Sequence, residues 1–93
     1  MKAAYELVLV KWEDSAQPRA AWEWLDEYEI ERAIICVSVG YLVAETDFAI
    51  AVAPNLGDVD LSRAQASGIM RIPRSAVRSM EKLAVVSSVD KVA

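Results

Sequence analysis

Apolar residues along this chain run in short blocks or alternate with polar ones, a pattern typical of β-strands. Residues 5–12 are rich in aromatic and β-branched side chains on both alternate faces, as in a strand buried on two sides. Residues 33–44 form a longer block of the same kind, and Gly40 within it predicts a sharp bend or a bulge. We expect these two segments to be strands of one sheet.

Two more strands are predicted in the second half of the chain. After a polar turn at residues 45–47, residues 48–53 alternate large apolar side chains with alanines. The alanine face of this strand must therefore lie close to another part of the structure. Residues 68–72 form a short strand that ends at Pro73, because proline has no N–H to donate to a neighbouring strand.

The segment between the first two strands predicts a short helix. Ser15 is a typical helix N-cap, and Pro18 suits the first helical turn. Within residues 19–31 the apolar side chains fall at helical spacing: Ala21, Trp22, Leu25 and Tyr28. Glu23, Asp26 and Glu27 then take the opposite, solvated face.

Two other segments are less regular. Residues 54–67 carry the strongest turn signals in the chain and predict a loop. Beyond Pro73 two alternatives stay open. The spacing of Val77, Met80 and Leu83 favours a helical turn, whereas residues 83–89 are branched and apolar enough for a strand.

Composition bounds the size of the structure and the chemistry it supports. The 93 residues are 55% hydrophobic, which predicts a single domain over residues 1–93 that gains stability by self-association. The absence of histidine removes the commonest general bases, nucleophile pairs and metal ligands. We therefore expect no enzyme activity, no cofactor and no metal, with Cys36 as a buried, inert thiol.

Targeting signals and membrane spans are not predicted. The first residues lack a secretory pattern, and the longest nearly uncharged block, residues 33–44, is shorter than the roughly 18 apolar residues of a membrane span. The expected location is the cytoplasm, with no membrane partner.

Charge is segregated along the chain. Residues 13–31 contain seven acidic residues against Arg19 alone, whereas residues 61–80 contain four arginines and no acid. One interpretation is complementary charge between neighbouring subunits or segments, and the other is an anion-binding face on the basic half.

Two stretches resemble the motifs of the Sm-like (LSm) family. Residues 39–52 are similar to the first Sm motif, in which a strand bearing Gly-x-Leu, here Gly40 and Leu42, turns at an aspartate, here Asp47. Residues 68–77 are similar to the second motif, a glycine before a strand that ends in isoleucine and then a two-residue turn.

This resemblance implies a mainly β fold, a small five-stranded, strongly bent, partly open Sm-like barrel, here with one short helix inserted between strands 1 and 2. It also implies a homo-oligomeric ring, in which the fourth strand of one subunit pairs with the fifth strand of the next. Short segments such as residues 10–15 and 72–75 are also similar to bacteriophage proteins of unassigned function. The compartment would then be the cytoplasm of a bacterial host.

Single-stranded RNA is the partner that the Sm resemblance implies, in an RNA-binding or RNA-chaperone type of scaffold. The matching turns are residues 45–48 and 73–76. The candidate RNA-binding residues are Asp47, Phe48, Arg71, Arg74 and Arg78. Three features of the site depart from the family pattern. Asp47 comes one residue later than the family's aspartate, the base-contacting asparagine falls on Ala51, and the Arg-Gly turn falls on Pro73 and Arg74.

A second hypothesis is a phage-derived, non-catalytic assembly or adaptor protein that binds a protein partner and no RNA. Trp24 lies off the apolar stripe of the predicted helix, which makes it a candidate for a partner contact. Glu23 and Glu27 lie beside it on the acidic segment. These three are the candidate partner-binding residues.

Overall fold

The computed structural model describes residues 5–86, which form a mainly β structure of antiparallel strands. A five-stranded sheet and a two-stranded sheet account for all the strands in this range. The strands are β1 (Glu6–Asp14), β2 (Ile34–Glu45), β3 (Ala49–Ala53), β4 (Asn55–Gly57), β5 (Gln65–Ser67), β6 (Met70–Pro73) and β7 (Val77–Leu83).

The five-stranded sheet has the order β6-β3-β2-β1-β7, so β6 and β7 are its two edges. A single turn of 3₁₀ helix, Arg74–Ala76, links these two edge strands along the chain. Val77–Leu83 is strand β7, so the helical turn favoured by the spacing of Val77, Met80 and Leu83 is wrong, and the 3₁₀ turn lies just before these residues. Of the apolar run at residues 83–89, residues 84–86 have no regular structure, and residues 87–89 lie outside the described range.

The sheet curls strongly enough to wrap around one core. Val8 and Val10 of β1 belong to the same buried cluster as Ile50 of β3 and Ile72 of β6. In a flat sheet β1 and β6 would lie about 14 Å apart, because neighbouring strands are about 4.8 Å apart. Curling brings them together, although β6 and β7 are not hydrogen-bonded neighbours and no closed barrel forms among residues 5–86.

Gly40 is the residue that permits this curling. β2 pairs with β1 as far as Leu42 and with β3 from Tyr41 onward, so one long strand serves both halves of the sheet. A Cβ atom at Gly40 would lie 2.7 Å from Cγ1 of Val52 and 2.8 Å from the carbonyl oxygen of Ala53. Glycine therefore allows a close backbone approach here, whereas the irregularity in the β2–β3 register lies further along, between Leu42 and Ala44, and not at Gly40 as predicted.

Trp12, a half-buried aromatic residue, lies on the inner face of the β1–β2 pair. Trp12 packs against the buried cluster, and its Nε1 donates a hydrogen bond to Oγ of Ser38 at 3.0 Å. Cys36 is the cross-strand neighbour of Trp12 and is half-buried, less enclosed than the sequence predicted.

The outer face of the same pair stays apolar and uncovered. Ile35, Val37 and Val39 are 46%, 58% and 52% exposed, although all three are β-branched residues of a central strand. Their cross-strand neighbours Glu13, Lys11 and Leu9 share this face. The sheet therefore has one side packed and one side open.

The loop predicted at residues 54–67 is instead a small hairpin. β4 and β5 pair antiparallel, with Asn55 opposite Ser67 and Gly57 opposite Gln65. Its turn contains Asp58 in the left-handed region (φ 54°), and Oδ2 of Asp58 accepts a hydrogen bond from the Gln65 amide at 2.7 Å. Turn residues thus lie where they were expected, but the flanking residues form a second sheet.

The helix predicted between the first two strands does not form. Residues 15–33, here called the arm, contain no helix or strand, only a turn in which the N–H of Glu27 donates to the Trp24 carbonyl at 3.1 Å. An isolated amphipathic helix of this length is marginal in water and needs packing of its apolar face. That packing is missing, since Trp22 is 102% and Leu25 90% exposed.

We predict that Gly40→Ala destabilises the protein by about 1 to 3 kcal/mol, because the added methyl group overpacks the contact with Val52 and Ala53. Urea unfolding followed by circular dichroism measures the change. Gly57→Ala is the matched control, since its Cβ would meet only the flexible side chain of Gln65, at 3.3 Å. Equal losses in the two variants would show that Gly40 has no special role.

Candidate functional site

Two turns meet at one end of the sheet and form the turn cluster, defined as residues 45–48 and 73–76. The first turn joins β2 to β3 and is organised by Thr46. Its Oγ1 accepts hydrogen bonds from the N–H groups of Phe48 and Ala49, each at 3.2 Å. The Thr46 N–H donates to the Ala49 carbonyl at 2.9 Å, so the turn is fixed by its own residues.

Arg74 fastens the second turn to the first. Its backbone N–H donates to the Phe48 carbonyl at 2.8 Å, and its Nε donates to the Thr46 carbonyl at 2.9 Å. Its Nη2 donates to Oε2 of Glu45 at 3.2 Å. An ion pair as exposed as this one contributes about 0.2 to 1 kcal/mol. The residue expected to bind phosphate therefore also holds the two turns together.

Phe48 is the most prominent apolar side chain of the turn cluster, at 83% exposure. Its backbone is fixed on both sides, by Thr46 and by Arg74. Exposed aromatic rings are the side chains on which bases of single-stranded nucleic acid stack. Asp47, also exposed, adds a negative charge at the same turn.

The structure thus brings together three of the five candidate RNA-binding residues, Asp47, Phe48 and Arg74. Arg71 lies on the neighbouring strand β6, opposite Ala51 of β3, and makes no ion pair with any residue in the range 5–86.

Arg78 lies on β7, which is at the other edge of the sheet order from β6. Its Nη1 donates to Oε1 of Glu13 at 2.7 Å. Two of the four arginines of the basic segment, Arg74 and Arg78, are therefore neutralised in part by acids of the same chain.

The candidate partner-binding residues also lie together, although the helix expected to carry them is absent. Trp24, Glu23 and Glu27 line a shallow cavity of about 270 Å³ on the arm, with Trp22 and Tyr28. Trp24 is 78% exposed, consistent with a side chain available for contact. This cavity combines aromatic walls with carboxylates.

One surface feature was missed by the sequence analysis. A groove of about 290 Å³, here called the alanine groove, lies where the β4–β5 hairpin meets the outer side of β2 and β3. Its lining includes Val43, Ala44, Ala51, Leu56, Ala66 and Ile69. The alanines of β3 were the available signal, because a strand face of small residues leaves room for another group. The alanines of β3 do not predict where the β4–β5 hairpin lies.

Within residues 5–86 no cluster of three or more Cys, Asp or Glu side chains is placed to hold a metal ion. Over the same range no helix has the length and apolar character needed to cross a membrane.

Comparison of the chain with protein-family models, with curated proteins and with solved structures finds no match. The function is therefore inferred from the geometry of the turn cluster, the arm, the alanine groove and the open sheet edges.

We predict that Thr46→Val loosens the turn cluster, because valine keeps the shape of threonine but cannot accept hydrogen bonds from Phe48 and Ala49. The net loss in unfolding free energy is expected to be about 1 kcal/mol. Amide hydrogen exchange at Phe48 and Ala49, measured by NMR, should accelerate by about tenfold. Thr46→Ser keeps the acceptor oxygen and should preserve the protection. Unchanged exchange in the valine variant would contradict this role.

Proposed function

We propose that this chain is a non-catalytic, Sm-like scaffold protein that assembles head to tail into a ring. The strand order carries the proposal, since β6 and β7 are the two edges of the five-stranded sheet. They correspond to the fourth and fifth strands of the Sm resemblance, the pair that joins neighbouring subunits. Unpaired edges are templates for pairing with another chain, and a repeated head-to-tail contact closes into a ring when its rotation permits.

The apolar surface supports assembly as well. The buried core of residues 5–86 contains only six hydrophobic residues, whereas many large apolar side chains are exposed. The outer face of β2 and the arm contribute eight of the 17 in this range. Contiguous apolar patches of more than a few hundred Å² mark interaction sites. A chain with so small a core gains stability when such surface is covered by further copies.

The absence of histidine supports a non-catalytic role, because it removes the most frequent general base and metal ligand. Carboxylates of the turn cluster are solvated, and Glu45 is engaged by Arg74. These residues serve the architecture of the turns.

RNA binding at the turn cluster is a second candidate function. The observation that favours it is the exposed ring of Phe48 on a turn whose backbone carbonyl accepts a hydrogen bond from the N–H of Arg74. In a ring, the turn clusters of successive subunits would repeat this pair and follow a single strand. The departures at Ala51 and at Pro73 and Arg74 imply that any base contact depends on stacking, which tolerates sequence variation.

Edge pairing predicts a specific cross-linking pattern. In a Cys36→Ser background, Arg71→Cys on β6 and Glu81→Cys on β7 place thiols on the two edges. With a bis-maleimide, the double variant should give a ladder of covalent oligomers on a denaturing gel. Light scattering should give a native mass of at least five subunits of 10.2 kDa.

Each single-cysteine variant is the matched control for this experiment. Head-to-tail pairing places β6 beside β7, so one thiol type alone should form few cross-links. Abundant dimers from Arg71→Cys alone would indicate that β6 pairs with β6, and a monomeric native mass would overturn the ring.

If the turn cluster binds RNA, Phe48→Ala and Arg74→Glu should each weaken binding by about tenfold or more, since stacking contributes about 1 to 3 kcal/mol per base. Fluorescence anisotropy with a labelled uridine-rich oligonucleotide measures this, and wild-type affinity should fall steeply with salt. Arg63→Glu makes the same charge change outside the turn cluster and is the control. Absence of binding by the wild type at low salt would reject RNA while leaving the ring intact.

A further inference from the structure

The arm presents a large apolar surface that nothing in residues 5–86 covers. Trp22, Trp24, Leu25 and Ile30 are 102%, 78%, 90% and 86% exposed. The two tryptophans alone offer about 400 Å², since an aromatic side chain buries roughly 150 to 250 Å². That is about half of the roughly 800 Å² that each partner contributes to a standard interface. The arm therefore carries enough apolar surface to form the centre of an interface.

The alanine groove has the shape and chemistry to receive one of these rings. Its volume of about 290 Å³ exceeds the roughly 150 Å³ that suffices for a benzene ring in an apolar protein cavity. The small side chains of Ala51 and Ala66 leave space in the groove, while Leu56 and Ile69 supply larger apolar contacts. The groove is open at the surface and needs no rearrangement of the sheet.

Charge favours the same pairing of surfaces. The arm carries five acids, Glu23, Asp26, Glu27, Glu29 and Glu31, against Arg19 and Arg32. Beside the groove, Arg71 is the cross-strand neighbour of Ala51, and Arg63 directly precedes the lining residue Ala64. Neither arginine is paired within the described part of the chain. The hairpin turn also carries two acids, Asp58 and Asp60, and Oδ2 of Asp58 accepts a hydrogen bond from the Gln65 amide.

A second copy is a better occupant of the groove than the chain's own arm. Val43 lies nine residues beyond Ile34 on β2, which is about 30 Å along a straight strand. The arm starts and ends at the other end of β2, and the turn at Trp24 shortens its reach. Trp22 lies eight residues from Asp14 and Trp24 lies ten, so a fully extended leg spans about 28 Å to Trp22 and about 35 Å to Trp24. Of the two tryptophans, only Trp24 could reach the chain's own groove, and only with the leg fully extended.

We infer that the arm of one copy clasps the next copy, with Trp22 or Trp24 seated in the alanine groove and the arm's carboxylates beside Arg71 and Arg63. This inference rests on the proposed self-assembly and adds to it a contact separate from the β6–β7 edge. Because the clasp is made of side chains on an irregular segment, its loss leaves the sheet intact.

A complementation experiment with full-length chains tests the clasp. The arm variant carries Trp22→Ala and Trp24→Ala, and the groove variant carries Ala51→Glu, with Ala66→Glu as a second groove variant if the first fails to fold by circular dichroism. Light scattering across a dilution series should show each variant dissociating at a concentration at least tenfold higher than the wild type. A 1:1 mixture should regain association, because each mixed pair keeps one intact arm and one intact groove.

Tryptophan fluorescence gives a second readout of the same contact. In the wild type, emission should shift to shorter wavelength as concentration rises, while the groove variants should keep solvent-exposed emission. Trp12 is half-buried in every variant and provides a constant background. The double variant Val85→Ala and Val86→Ala is the matched control, because it removes side chains that are 87% and 86% exposed outside both surfaces.

Several outcomes would overturn the clasp. A mixture that associates no better than either variant alone would reject it. Blue-shifted emission already in the dilute monomer would show that the arm folds onto its own groove. If the wild type stays monomeric and its emission remains that of solvent-exposed tryptophan, the partner of the arm would be a different protein.

Failure of the clasp is distinguishable from failure of the ring. If the ring is wrong and the clasp is correct, assembly is lost in the variant without the two tryptophans. The double variant Arg71→Cys and Glu81→Cys then gives no ladder of cross-linked oligomers. If the clasp is wrong and the ring correct, the ladder forms and the arm variant keeps the wild-type mass and dissociation concentration.

Discussion

The close approach of β2 to β3 at Gly40 is the constraint on which the rest of the structure depends. Because no side chain separates the two backbones there, one long strand can serve both halves of the sheet. The resulting curl lets Val10 of β1 and Ile72 of β6 share one core despite three strand spacings between them. It also leaves β6 and β7 as unpaired edges, and these edges are the basis of the proposed assembly.

Arg74 organises the turn cluster. It donates to two backbone carbonyls and to Glu45, so its position is fixed. Under the RNA hypothesis, a preorganised guanidinium would lose less conformational entropy on binding than a free surface arginine. The ion pair of Arg74 with Glu45 reduces the positive charge available to a phosphate. The RNA hypothesis therefore depends more on stacking by Phe48 than on charge.

The proposed assembly explains the small core and the exposed arm together. A chain of this size buries too little surface to be strongly stable alone, and the arm leaves Trp22 and Trp24 exposed. In that proposal, pairing of strand edges would supply backbone hydrogen bonds, and a clasp of arm and groove would supply apolar burial. These two contributions differ in kind, so variants at one contact should leave the other measurable.

Local pattern was enough to predict four of the five strands of the main sheet, because alternation, β-branched blocks and the stop at Pro73 act on neighbouring residues. The turn at residues 45–48 followed from the same signals. The prediction of a helix at residues 19–31 was wrong, because helical spacing predicts a helix only where a surface is present to bury its apolar face. The alanine groove, the ion pair of Arg74 with Glu45 and the ion pair of Arg78 with Glu13 depend on residues distant in sequence. Only the tertiary structure decided them, since each requires knowing which strands the curled sheet brings together.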